Sequence, residues 1–159
     1  MRFITGLFTF LLIFSGHSDD SKLNGSHQQK LVVGIFNTAL PHQSYYIVVQ
    51  PDMSMEVAWG IDNSKHFPDA SSLYRVFETA ERRLTELEFD LIFQNAQNME
   101  DHTPLDDYRV VYGSGARIKV LYNSQIYQMH MGYMDEHAQG MIDQIMELSP
   151  IEIRLDPFF

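Results

Sequence analysis

The segment Met129-His130-Met131-Gly132-Tyr133-Met134, followed by His137 and Met141, is the densest run of metal-capable side chains in the sequence. Thioether and imidazole ligands suit copper in an oxidising compartment. Alternation along an extended segment, however, sends Met129 and Met131 to one side and His130 to the other. Met134 and Met141 fall on the apolar stripe of the helix expected next. Methionines so placed are ordinary core filler, so the segment reads as core, with metal handling through Met and His side chains as an alternative.

Other motifs fall short of chemistry. A zinc hydrolase needs two histidines four apart on one helix with a carboxylate base between them. Here His130 and the Glu136-His137 pair straddle a strand-to-helix break, and the spacing also misses the inverted form of that motif. Gly113-Ser114-Gly115 lies between strand-like sequences and reads as a hairpin turn rather than a nucleophile elbow. Glu100, Asp101, Asp106 and Asp107 form an acidic loop without the alternating ligand spacing and central glycine of a calcium hand. No phosphate-cradling or dinucleotide fingerprint is present. No catalytic residue, metal ligand or cofactor is assigned from these residues.

One group of polar residues carries a functional reading. With side chains alternating along strands, Arg109, Arg117, Lys119, Gln128 and His130 share one face, opposite Tyr108, Val110, Tyr112, Ile118, Val120, Tyr127, Met129 and Met131. The face reads as a solvated one kept soluble by long basic side chains, or, since like charges on neighbouring strands cost stability, as one that receives an acidic ligand or protein partner or is neutralised by the protein's own acidic loop.

The elements that must position these residues follow from pattern. Leu31 to Asn37 is a compact apolar run, read as a buried strand. Ser44 to Gln50 and Met55 to Ile61 flank Pro51-Asp52-Met53-Ser54, a turn sequence. Pairing across a four-residue loop puts Tyr46, Val48, Met55, Val57 and Trp59 on the core face. From Leu73, apolar residues at Val76, Phe77, Ala80, Leu84, Leu87 and Leu91 have helical spacing, and Pro68 to Ser72 offers its start; Phe89, Ile92 and Phe93 leave that stripe, and Gln94 to Leu105 reads as loop. Tyr108 to Tyr112, Ala116 to Tyr122 and Ile126 to Met131 read as a meander turning at Gly113-Ser114-Gly115 and Asn123-Ser124. A second helix over Met134 to Leu148 has Met134, Ala138, Met141, Ile142, Ile145 and Leu148 as its stripe, and Ile151, Ile153 and Leu155 alternate as a last strand.

The expected architecture is α+β: a mostly antiparallel sheet of about six or seven strands with two amphipathic helices on one face, in the order βββ-α-βββ-α-β. A split βαβ core with added hairpin strands is one version of it. Residues 1–18 read as a signal peptide, with Arg2 as the positive charge, an apolar stretch from Phe3 to Phe14 and Gly16-His17-Ser18 at the cleavage site. Residues 19–30 are a polar lead-in that includes Asn24-Gly25-Ser26, a glycosylation acceptor pattern, and 31–159 form a single domain.

Composition narrows the function classes. The 159 residues contain no cysteine, which excludes disulfides, thiolate catalysis and cysteine-bound metals. The net charge is −10, one unit more negative once Arg2 is removed, and that balance repels polyphosphate and anionic headgroups. Neither nucleic acid nor membrane is an expected partner of the mature form. The resulting expectation is a secreted or periplasmic, non-enzymatic binding protein, with metal handling and a small extracytoplasmic enzyme as alternatives.

Overall fold

The computed structural model describes residues 30–37, 39–100 and 116–155. The elements are β1 (Leu31–Asn37), β2 (Ser44–Val49), β3 (Ser54–Asp62), β4 (Leu73–Arg83), α1 (Glu86–Asn98), β5 (Ala116–Tyr122), β6 (Gln125–His130) and α2 (Glu136–Leu148). They form an α+β fold: a six-stranded sheet in the order β4-β3-β2-β1-β5-β6, in which every neighbouring pair is antiparallel. β4 and β5, the two strands joined through α1, therefore run parallel to each other, split by the three strands β3, β2 and β1.

Both helices cover one face. Leu31, Val33, Ile35, Tyr45, Ile47, Val49, Met55, Val57, Ile118, Val120, Tyr122 and Met129 project from that face into one core with Phe89, Ile92, Phe93 and Ala96 of α1 and Ala138, Met141, Ile142 and Ile145 of α2. Phe93 sits at its centre, stacked on Phe89 with centroids 4.3 Å apart and edge-on to Tyr122 at 6.0 Å.

Three expectations need correction. Residues 73–83 are a strand, not the start of a helix. The apparent helical spacing there came from apolar residues on an exposed edge strand, where no single face is forced inward. The helix begins at Glu86 behind a capping box: Thr85 Oγ1 accepts from the Glu88 amide, and the Glu88 carboxylate accepts from the Thr85 amide. Such a cap stabilises a helix by about 1 kcal/mol, and its Thr-x-x-Glu pattern stands in the sequence. Phe89, Ile92 and Phe93, set aside as off-stripe, form the true buried stripe with Ala96, whereas Leu87 is 69% exposed. Helix continues through Gln94 to Asn98, where loop was expected.

The β2–β3 register is also shifted by one. Val49 stands opposite Met55, Ile47 opposite Val57 and Tyr45 opposite Trp59. The amide of Met53 donates to the Gln50 carbonyl at 3.0 Å and Met53 has φ 67°, so the loop holds three residues, a turn followed by a left-handed one. A one-residue slip exchanges faces, and Tyr46 and Val48 consequently leave the helix-covered side. Residues 151–155 form no strand: Ile151 and Ile153 are buried in the core, but the Arg154 amide donates to the Tyr45 hydroxyl at 3.1 Å rather than to a ladder.

At β5–β6 the expected register is found, with Ile118 opposite Met129 and Val120 opposite Tyr127. Asn123 and Ser124 form its turn at φ 51° and 63°, as a two-residue hairpin loop requires. β5 is flanked by β1 and β6, so the meander position reserved beside it is filled by β1. The expected strand Tyr108–Tyr112, the turn Gly113-Ser114-Gly115, the acidic residues Asp101, Asp106 and Asp107, and residues 1–29 lie outside the described residues.

Candidate functional site

The face opposite the helices has two parts. In its middle, Val32, Phe36, Val48 and Phe67 form a small second core, with Tyr46 and Leu121 packed against it. This explains why every residue of β1 is buried: the helices cover one side, and the excursion between β3 and β4 covers the other. That excursion is pinned at several points. The Phe67 ring meets Phe36 edge-on at 6.2 Å, the Tyr46 hydroxyl donates to the Pro68 carbonyl at 2.7 Å, and Asn63 Nδ2 donates to the Ser71 carbonyl at 2.7 Å. Burial, followed by the nearby charges of Asp69 and Glu56, raises the Tyr46 pKa.

Beside this small core lies the polar end. Arg117 stands directly across from His130, and Lys119 from Gln128. Four of the five residues assigned from sequence are thus brought together on one face; the fifth, Arg109, lies outside the described residues. Their environments differ. His130 is exposed, whereas Arg117, Lys119 and Gln128 are half-buried. The Arg117 Nε is buried without a hydrogen-bond partner among the described residues.

Lys119 is committed to the fold. Its ammonium donates to the Ser64 carbonyl at 2.8 Å, clasping the excursion to β5. Desolvation, then the neighbouring Arg117 charge, lowers its pKa below 10.5, and attraction to Asp62 only partly opposes them. For a depressed pKa, the proton-linked contribution to stability is present above the unfolded value and lost as pH falls through the folded one. Hence wild-type stability should rise as pH climbs toward 10.5, relative to Lys119→Met at the same pH. Urea titrations of both proteins across that range check this; parallel curves would contradict it.

The two ends of the face differ in charge. Glu56 and Glu81 oppose each other on β3 and β4, while Arg117, Lys119 and His130 occupy β5 and β6. Sequence reasoning missed the excursion entirely, although Phe67, an aromatic residue within a polar, turn-rich stretch, was a visible sign that this segment packs against something.

The methionines are placed by packing. Met129 and Met141 are buried in the main core, Met131 and Met134 pack at its margin, and His130 and His137 are exposed. Among the described residues no three His, Asp or Glu side chains converge as a metal site, and no helix is long and apolar enough to cross a membrane. Comparison with family models, curated proteins and solved structures finds no match to this chain.

Proposed function

We propose that this is an exported, non-enzymatic binding protein that receives an acidic group of a ligand or protein partner at the Arg117 end of its helix-free sheet face. The observation that carries the reading is the buried, unpartnered Nε of Arg117. A desolvated guanidinium donor without a partner is costly, and a carboxylate, able to take two parallel hydrogen bonds, is its best-matched acceptor once the side chain swings outward to meet it. His130 and Gln128 stand beside it as further donors, while Lys119 holds the wall of the site through Ser64. Because the protein as a whole is strongly acidic, long-range attraction cannot recruit the partner. Recognition therefore rests on short-range contacts with a compact acidic group. Export is supported by residues 1–18, where one positive charge, a short apolar stretch and small residues follow one another.

The test uses immobilised hexaglutamate peptide and the chain from residue 19. Arg117→Glu should weaken binding by about tenfold or more, while Arg83→Glu at the far edge should leave it unchanged. Equal binding by wild type and Arg117→Glu would discard the proposal.

A further inference from the structure

Among the described residues Lys30 and Lys65 are exposed, and Lys119 is the one lysine that is half-buried. It stands on β5 two residues from Arg117, so both side chains leave the same helix-free face, with their Cα atoms about 7 Å apart. Desolvation, together with the Arg117 charge, favours the neutral amine of Lys119 over its ammonium. A lysine that is desolvated or set beside another cation is one that can act as a nucleophile.

The geometry leaves the nitrogen open to attack a ligand. Its ammonium donates to the Ser64 carbonyl at 2.8 Å. A carbonyl oxygen only accepts, so the neutral amine must also turn a hydrogen toward Ser64, and its lone pair points elsewhere. Ser64 belongs to the excursion pinned by Phe67 against Phe36 and by Tyr46 to Pro68, and this holds the nitrogen in place. Beside it, the Nε–H of Arg117 has no acceptor among the described residues. An acceptor for Arg117 and an electrophile for Lys119 are therefore wanted at neighbouring points of one face.

We propose that Lys119 forms a reversible imine with a small α-oxo acid whose carboxylate is held by Arg117. Such an acid carries its carboxylate and its electrophilic carbon on adjacent atoms, which suits two side chains rising side by side. A simple carboxylic acid would satisfy Arg117 alone, and a simple aldehyde Lys119 alone. The amine nitrogen bonds to the carbonyl carbon while a proton passes from nitrogen to the carbonyl oxygen. The resulting carbinolamine loses water and leaves C=N, with nothing oxidised or reduced. The protonated imine keeps one N–H for the Ser64 carbonyl, so the excursion stays clasped. This inference rests on the acidic-group reading of the face and names the ligand class.

Glyoxylate with cyanoborohydride, which reduces an imine to a stable secondary amine, tests it on the chain from residue 19, read by peptide mass spectrometry. Lys119 should be carboxymethylated at least about tenfold faster than exposed Lys65 in the same sample. That preference should shrink with acetaldehyde, which has no carboxylate, and with glyoxylate on Arg117→Gln, shown to be folded by circular dichroism. Labelling of Lys119 no faster than Lys65, or an equal preference with glyoxylate and acetaldehyde, would overturn the inference. If it falls while hexaglutamate binding stays sensitive to Arg117→Glu, the acidic-group reading stands without it; if that sensitivity is absent as well, both fall.

Discussion

Phe93→Ala should lower the unfolding free energy by about 3–5 kcal/mol. Phe93 is 2% exposed and stands where α1, the sheet and the Tyr122 ring meet. Truncation removes the Phe89 stack and leaves a cavity that the sheet and α2, packed around it, cannot close. A domain of this size is stable by about 5–15 kcal/mol in all, so the variant should sit near its threshold. Urea unfolding with an unchanged slope checks the magnitude. A loss below about 1 kcal/mol would mean that α1 does not cover the sheet as described.

Gly60→Ala should be the next most damaging change, by about 3 kcal/mol, for a different reason. Gly60 lies at the β3–β4 bulge, and an added Cβ would fall inside the contact distance of the Arg75 backbone carbonyl oxygen. A backbone atom held in a ladder cannot rotate aside, so β3 and β4 would have to separate there. Amide hydrogen exchange should show the loss concentrated at residues 73–78 in β4 and spare α2. Uniform acceleration across the sheet, or none, would contradict the bulge geometry.

How legible the fold was depended on whether burial forced a pattern. Along β5 one face is sealed by the helices, so burial alternates strictly, and Asn123-Ser124 tolerates the left-handed backbone its turn requires. Register and face assignment there could be read directly. In α2, Asp135 caps the helix by accepting from the His137 and Ala138 amides, and its stripe is uninterrupted.

The failures have equally local causes. Met53 adopts a left-handed conformation without being glycine, so nothing in the β2–β3 turn announced a three-residue loop, and Tyr46 and Val48 were placed on the wrong face. β4 carries apolar residues that nothing buries, which imitated a helix and hid the Thr85 cap. The site shows the same division. Arg117, Lys119, Gln128 and His130 share a face, as alternation along the readable hairpin implied. The partner of Lys119 was invisible, since Ser64 is 55 residues away along the chain and contributes only a backbone carbonyl.

The central functional claim is that an acidic group docks against Arg117. The most direct measurement is a titration of isotope-labelled protein with hexaglutamate peptide, followed by amide and arginine side-chain chemical shifts. Saturating changes confined to the Arg117 Nε–H and to the amides of Lys119, Gln128 and His130 are the predicted result. A silent Arg117 Nε–H, or shifts centred on β3 and β4, would contradict it.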